Sequence, residues 1–391
     1  MGLALAGWAV LRDEPYRAHP KPSGQASIDP TSASELLTRL ARALHDGDPA
    51  AARRLGADAS SGRVLADAAR TARRAHLVDL QLRYLDEQGG LDTADRWPAA
   101  VDVSWRYAGF DRAPANAEVR FTFASADGRV LIAGVGGGAD RTPIWLQGGI
   151  RVVRTPHTLV LAAVDVQRYA QLAARAVPIV HRVLAHWRPA LVVEVPRSAG
   201  RLQATLAADP GEYAQIAAVT TSADGSSTPR TPIHIFVNPA VFSGLKPRGS
   251  QVVMSHEAVH VATDAANSVL PLWLVEGFAD YVALRDVRLP LSTTAGQILG
   301  QVKKHGAPRH LPGPTEFDTT QTHLGASYEA AWVACRLLAQ RYGEQNLVDY
   351  YRALSGGAQV GPAFREHFGL SLPAFTRSWR SWLVDQAGRL G

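Results

Sequence analysis

The hydrophobic period of this 391-residue sequence changes twice along the chain. Residues 31–55 and 61–74 repeat apolar side chains at helical spacing. Residues 78–163 then form short β-like runs separated by turns that contain Gly, and Phe121 and Phe123 alternate with polar neighbours in one of them. Helices followed by consecutive strands of this kind predict an α+β unit with an antiparallel sheet.

The helical period returns after residue 164 and continues to the end of the sequence. Strand-like segments interrupt it at Leu191–Val195 and Ile233–Val237. We therefore predict an α+β fold in three parts: an apolar and Pro-rich segment at residues 1–29, a helix-plus-antiparallel-sheet domain at 30–163, and a mostly helical domain at 164–391.

The composition excludes several classes of protein. Hydrophobic residues make up 46% of the chain, enough for a large core, and no apolar run approaches the roughly 18–20 residues of a membrane-spanning helix. The net charge of +6 is scattered, without a basic stripe interleaved with aromatic residues, so we expect no nucleic-acid partner. The single cysteine, Cys335, excludes an internal disulfide and a cysteine-rich zinc site.

The first 29 residues permit two interpretations. Leu3–Leu11 is apolar, and the polar, Pro-containing stretch that follows is typical of a linker. One interpretation is the remainder of a membrane anchor or export signal, which would place the protein outside the cytoplasm or on the outer side of a membrane. The other is an unstructured terminus with a few apolar residues, which leaves a cytoplasmic location open.

The most informative motif is His256-Glu257-Ala258-Val259-His260, an H-E-x-x-H sequence. On a helix, positions i and i+4 lie on the same face, so His256 and His260 can bind one Zn²⁺. Glu257 can then reach the attacking water and take its proton. No Gly or Pro occurs between Met254 and Ala266, which favours an uninterrupted helix.

A catalytic zinc site needs a third protein ligand, and Glu276 is the best candidate. The alternative H-E-x-x-H-x-x-G-x-x-H pattern is absent, because Thr263 and Ala266 occupy its Gly and last His positions. Glu276 follows His260 by sixteen residues, enough for a turn and a returning helix. Asp280 lies one helical turn after Glu276 and is placed to accept the free N–H of a ligand histidine.

The sequence HEAVH followed by Trp273–Tyr281 (WLVEGFADY) resembles the gluzincin metallopeptidases, particularly the bacterial peptidase-MA-like group. The resemblance covers about 220 residues, from Asp165 to the end of the chain. It implies zinc as cofactor, peptides or proteins as substrates, His256, His260 and Glu276 as ligands, Glu257 as catalytic base, and Asp280 as the carboxylate that orients a ligand histidine. It also likens Ile233–Val237, which follows a predicted polar loop at 220–232, to the edge strand beside the substrate.

Two departures from this group limit the comparison. No G-x-M-E-N-like element is present, which argues against an aminopeptidase, and no histidine occurs in a family motif for the second catalytic side chain. Tyr328 is the candidate for that role, because its hydroxyl can donate a hydrogen bond to the oxyanion and the group often carries a Tyr there. A tyrosine packed between helices is the alternative, with Tyr281 or His323 as further candidates.

The N-terminal region is similar in element order to the cone-shaped domains related to nuclear transport factor 2 (NTF2-like domains), with no shared motif. We predict a zinc-dependent peptidase in which this region acts as a spacer, substrate selector or cover. The alternative is a non-catalytic binding protein, in which the N-terminal domain binds a ligand or partner and the zinc domain is a degenerate scaffold. The sequence leaves the oligomeric state open.

Overall fold

A computed structural model describes residues 27–228, 230–318 and 323–389. Three helices and a four-stranded antiparallel sheet come first, then a five-stranded mixed sheet, and then a mostly helical region. The α+β fold class predicted from the sequence is confirmed. The predicted apolar segment lies outside the described residues except for positions 27–29. No helix in the described ranges combines the length and the apolar character that a membrane span requires.

The helices, in chain order, are α1 (Pro30–His45), α2 (Pro49–Arg53), α3 (Ala59–Ala75), α4 (Val166–His181), α5 (Ala199–Leu206), α6 (Pro239–Phe242), α7 (Pro247–Thr263), α8 (Leu272–Leu284), α9 (Leu291–Thr294), α10 (Gly296–His305), α11 (Leu324–Tyr342), α12 (Glu344–Ser355), α13 (Val360–Phe368) and α14 (Leu372–Arg389). The strands are β1 (Leu77–Glu87), β2 (Arg96–Tyr107), β3 (Ala115–Ala126), β4 (Arg129–Val135), β5 (Arg151–Arg154), β6 (Thr158–Ala162), β7 (Leu191–Val195), β8 (Ala218–Ser222) and β9 (Ile233–Val237).

The first sheet has the order β1-β2-β3-β4, and every neighbouring pair is antiparallel. Its inward residues, such as Val119, Phe121 and Phe123, alternate with more exposed ones, as expected for a strand that packs on one face. Helix α1 begins where the Asp29 carboxylate accepts the backbone N–H of Ser32, and it buries its leucines in the same core.

The second sheet has the order β5-β6-β7-β9-β8 and lies between two hydrophobic cores. Strands β6, β7 and β9 are parallel, whereas β5 and β8 are antiparallel edges. Leu159 and Leu161 of β6 join the core of the first sheet, while Val160 and Ala162 join the core of the helical region. Both faces of the strand are therefore buried, which explains its continuous apolar run.

The structure differs from three expectations drawn from the sequence. Strand β9 is internal, since it pairs with both β7 and β8, and the edge strand is β8. Residues 220–222, predicted as loop, form the end of β8. Residues 143–149, which belong to the stretch 78–163 predicted to form β-like runs, contain a short 3₁₀ helix at Ile144–Leu146. Strands β5 and β6 lie before residue 163 but pair into one sheet with strands that lie after it. The domain limit at residue 163 stays a prediction.

The helical region brings α7, α8 and α11 together at one point. Gly277 of α8 makes the closest approach, because a Cβ atom there would lie 2.3 Å from the Ala331 carbonyl oxygen of α11 and 3.0 Å from the Cys335 sulfur. Cys335 is fully buried, and burial raises the pKa of its thiol well above the usual range. This agrees with a packing role for the single cysteine.

Candidate metal centre

Two helices bring together the three side chains predicted to bind zinc. His256 and His260 lie one turn apart on α7, and Glu276 comes from the second turn of α8, which returns beside α7. His256 Nε2 lies 2.9 Å from His260 Nε2, and the two nitrogens lie 3.2 and 3.4 Å from Glu276 Oε2. The three atoms thus form a small triangle, a group that could hold a metal ion.

The size of this triangle agrees with the geometry of zinc. A tetrahedral zinc with ligand distances of about 2.0–2.1 Å keeps its ligand atoms about 3.3 Å apart. The observed separations of 2.9–3.4 Å surround that value. Two imidazoles and one carboxylate are also a ligand set that catalytic zinc sites use, with the fourth position left for water or substrate.

Asp280 contacts His256, the first of the two histidines. The His256 Nδ1–H donates to Asp280 Oδ1 over 2.8 Å, so Nε2 is the ring nitrogen that faces the triangle. The second histidine lacks such support: His260 Nδ1 is buried and has no hydrogen-bond partner within the ranges that the structure describes. The two histidines are therefore oriented unequally by the protein.

The electrostatics of the triangle favour positive charge. Burial disfavours the imidazolium form of His256, but the carboxylates of Asp280 and Glu276 outweigh it and hold its pKa well above the usual range. Burial likewise disfavours the ionised form of Glu276, but the imidazoles of His260 and His256 outweigh it and hold the pKa of the carboxyl well below its usual range. A divalent cation meets the same demand for positive charge.

Glu257 lies beside the triangle and contacts a residue that was not predicted from the sequence. Its Oε2 accepts the hydroxyl of Thr220 over 2.7 Å, and that hydroxyl is 3.2 Å from the Glu257 backbone oxygen. Thr220 stands on the edge strand β8, so the mixed sheet holds this carboxylate in place. The β-branched run Val219-Thr220-Thr221 was the available sequence signal for a strand here.

Tyr328 also lies at the site. Its ring centroid is 6.1 Å from that of His256, in an edge-on arrangement, and its ring also contacts Phe317. Burial and the nearby carboxylates of Glu276, Glu257 and Asp280 raise the pKa of Tyr328, so its hydroxyl stays protonated and able to donate.

The other sequence candidates lie elsewhere. The Tyr281 hydroxyl donates to Glu344 of α12 over 2.5 Å, on the side of α8 away from the triangle. His323, the other further candidate, is exposed and does not belong to the three-residue group. Asp264, four residues after His260, ends α7 with a positive φ, and its carboxylate accepts the Asn267 amide N–H.

Searches of protein-family models, curated proteins and solved structures find no match to this chain. Its function therefore has to be inferred from the site itself. The structure places His256, His260 and Glu276 in mutual contact, and Asp280 in contact with His256. That these residues bind zinc, and that Glu257 and Tyr328 take part in catalysis, stay predictions.

A second polar cluster, which was not predicted from the sequence, is buried between the two sheets. His234 of β9 lies between two carboxylates, with Nδ1 2.9 Å from Glu194 Oε1 and Nε2 3.0 Å from Asp111 Oδ1. Asp111 also accepts the Tyr107 backbone N–H over 2.7 Å. Burial disfavours the charged imidazole, but the two carboxylates outweigh it and raise the pKa of His234 to about 10.

Proposed function

We propose that this chain is a zinc-dependent peptidase. The observation that carries the proposal is the convergence of His256 Nε2, His260 Nε2 and Glu276 Oε2 within 3.4 Å of one another, with Glu257 next to the first ligand. The donor set, the spacing of its atoms and the charge of the site all fit a divalent cation. When bound, zinc supplies a Lewis acid that polarises the scissile carbonyl and acidifies the attacking water.

Two side chains of the protein would act on the reacting groups, one as a base and one as a hydrogen-bond donor. Glu257, held by the Thr220 hydroxyl, takes a proton from the attacking water and delivers it to the leaving amine. Tyr328 keeps its proton and donates a hydrogen bond to the former carbonyl oxygen as negative charge develops there. Asp280 holds the ring of His256 in one orientation. It would affect the reaction only through that proposed ligand.

The family relationship is part of the same proposal. The H-E-x-x-H helix, the returning helix with Glu276 and the neighbouring strand edge support a relation to the gluzincin peptidases of the peptidase-MA-like group. Helices followed by an antiparallel sheet in residues 30–135 support the proposed NTF2-like character of the N-terminal region, as far as element order can. Export or membrane anchoring through residues 1–29 is also a proposal, and fractionation of cells that express the tagged full chain tests it.

Turnover of a mixed peptide library by the purified protein tests the function. Wild-type protein with one equivalent of zinc should cleave peptides, and 1,10-phenanthroline should stop the reaction. Glu257→Gln should keep the metal, since Glu257 is not a ligand, and should lose hydrolysis because an amide cannot act as base. Asp286→Asn, an exposed acid-to-amide change elsewhere, is the matched control and should remain active.

Two results would reject the proposal. Cleavage by Glu257→Gln at the wild-type rate would show that the activity belongs to another site or a contaminant. Zinc binding without cleavage of any peptide by the wild-type protein would favour the non-catalytic binding protein instead.

A further inference from the structure

A large cleft opens at the end of the helix that carries the two histidines. Its volume is about 1050 Å³, at the upper end of the usual range for ligand pockets. One wall is the last turn of α7, Val261–Asp264, which starts directly after His260. Asp264 lies four residues after His260 and ends the helix with a positive φ. The cleft thus begins within one helical turn of His260, roughly 5–6 Å along the helix axis.

The remaining walls come from both halves of the molecule. Phe110–Arg112 follow the last strand residues of β2, His186–Arg188 lie between α4 and β7, and Arg230–Ile233 lead into β9. Strand β9 pairs with β8, whose Thr220 holds Glu257. The cleft therefore includes Ile233 of β9, the strand next to the one that contacts the proposed catalytic base.

Exposed arginines give this cleft its charge. Arg112, Arg188 and Arg230 line it and are exposed, and none of them forms an ion pair with any residue in the described ranges. Two aspartates also line it, but the Asp111 carboxylate turns inward to His234 and the Tyr107 N–H. Asp264 lies at the α7 end, where it accepts the Asn267 amide.

Apolar side chains also line the cleft beside the arginines. Trp187 and Phe110 are half-buried in the cleft walls, and Val192 and Ile233 add further apolar lining. A guanidinium presents planar donors that match a carboxylate, and aromatic rings contact the aliphatic part of a peptide. This combination fits a peptide chain that carries a carboxylate.

We infer that this cleft binds the part of a peptide substrate that lies on one side of the scissile bond. The cleft selects peptides that carry a carboxylate in that part. The inference rests on the proposed peptidase function and names its substrate class. The carboxylate has two chemical sources, an Asp or Glu side chain and the C-terminus of a short peptide. Both would bind the three arginines, and matched peptides separate them.

The test compares such peptides on charge-reversed variants. Within one set of pairs, the two peptides carry either Glu or Gln at a single position near a known cleavage point. Within another set, the two peptides have either a free or an amidated C-terminus. The variants are Arg112→Glu, Arg188→Glu and the double variant. Arg39→Glu is the control, since Arg39 is exposed on α1, has no ion pair with a described residue and lines no part of the cleft.

Each reversal in the cleft should lower kcat/KM for carboxylate-bearing peptides about five- to tenfold, mainly through KM, because a solvent-exposed attraction becomes a repulsion. Gln and amidated peptides should change less than about twofold, and high salt should reduce the difference between peptides. Loss confined to Glu peptides identifies a side-chain carboxylate, and loss confined to free C-termini identifies the terminal one. Equal kcat/KM within the matched pairs on wild-type protein, or the same loss in Arg39→Glu, would overturn the inference.

Failure of the function itself would be recognised separately. If no peptide is cleaved, the peptidase proposal fails, and binding of fluorescent Glu and Gln peptides to the wild type and the double variant still tests the cleft. Tighter binding of the Glu peptide that the double variant loses would support carboxylate recognition. Equal binding of both peptides to the wild type would overturn it.

Discussion

At the residue scale, the proposed chemistry depends on which groups keep or lose a proton near Glu276. The Glu276 carboxyl is held ionised by two imidazoles, whereas the Tyr328 hydroxyl is held protonated by burial and by the surrounding carboxylates. A permanently ionised ligand and a permanently protonated donor are the states that amide-bond hydrolysis at a metal requires. The first state follows from the two imidazoles, and the second follows mainly from burial.

We predict that Tyr328→Phe lowers kcat by about 10²–10³ and leaves bound zinc and the circular-dichroism spectrum unchanged. The change removes one hydroxyl, and a loss of this size is expected for a single oxyanion donor. Tyr281→Phe is the matched control, because its hydroxyl bonds Glu344 away from the triangle. Steady-state kinetics on one peptide measures both, and an unchanged kcat for Tyr328→Phe would return Tyr328 to a packing role.

At the element scale, the geometry of the triangle depends on how closely α8 approaches α7 and α11. Gly277 permits that approach, since its missing side chain leaves room for the Ala331 carbonyl. Glu276 is its chain neighbour, so a displacement of α8 at Gly277 moves the proposed third ligand. Helix packing therefore requires Gly at position 277, and this packing sets the position of Glu276.

We predict that Gly277→Ala destabilises the protein by about 1–3 kcal/mol, the usual cost of overpacking, and weakens zinc binding. Gly300→Ala is the control: Gly300 is exposed in α10 and an added Cβ atom would meet nothing within 4 Å, so the change should be neutral or slightly stabilising. Urea unfolding and competitive zinc titration measure the two effects. Equal stability and zinc affinity in Gly277→Ala and wild type would contradict this packing account.

The features that the sequence predicts depend on residues close together in the chain, whereas those it misses depend on residues far apart. The contacts among His256, His260 and Asp280 follow from helical spacing and one helix reversal, which local sequence specifies. Thr220 reaches Glu257 only because β8 pairs with β9 in a fixed register, and His234 meets Asp111 across 123 residues of chain. Such long-range pairing is not encoded in hydrophobic period, so the strand edge, the buried cluster and the cleft were not predicted.

At the scale of the whole molecule, the buried Asp111–His234–Glu194 cluster joins the first sheet region to the mixed sheet. His234 and Glu194 belong to β9 and β7, and Asp111 follows β2. The pKa of His234 is raised from an ordinary 6.5 to about 10, so its protonated form stabilises the folded state. That contribution is fully present below about pH 6.5 and is lost as the pH rises through about 10.

We predict that the free energy of unfolding of the wild type falls between pH 7 and about pH 10 more steeply than that of His234→Gln. At about pH 7 the variant should be less stable by about 3–5 kcal/mol, because two buried carboxylates lose their cation. His186→Gln, an exposed change, should follow the wild type. Urea unfolding at several pH values measures all three proteins, and parallel curves for wild type and His234→Gln would contradict the charge assigned to this cluster.

The central claim is that His256, His260 and Glu276 hold one zinc ion. Anomalous diffraction at the zinc edge, on crystals of protein purified with zinc, tests it most directly. The account predicts one peak per chain, about 2.0–2.1 Å from both Nε2 atoms and at a similar distance from a Glu276 oxygen. A zinc peak bound by other residues, or zinc-saturated crystals with no peak between these three side chains, would contradict it.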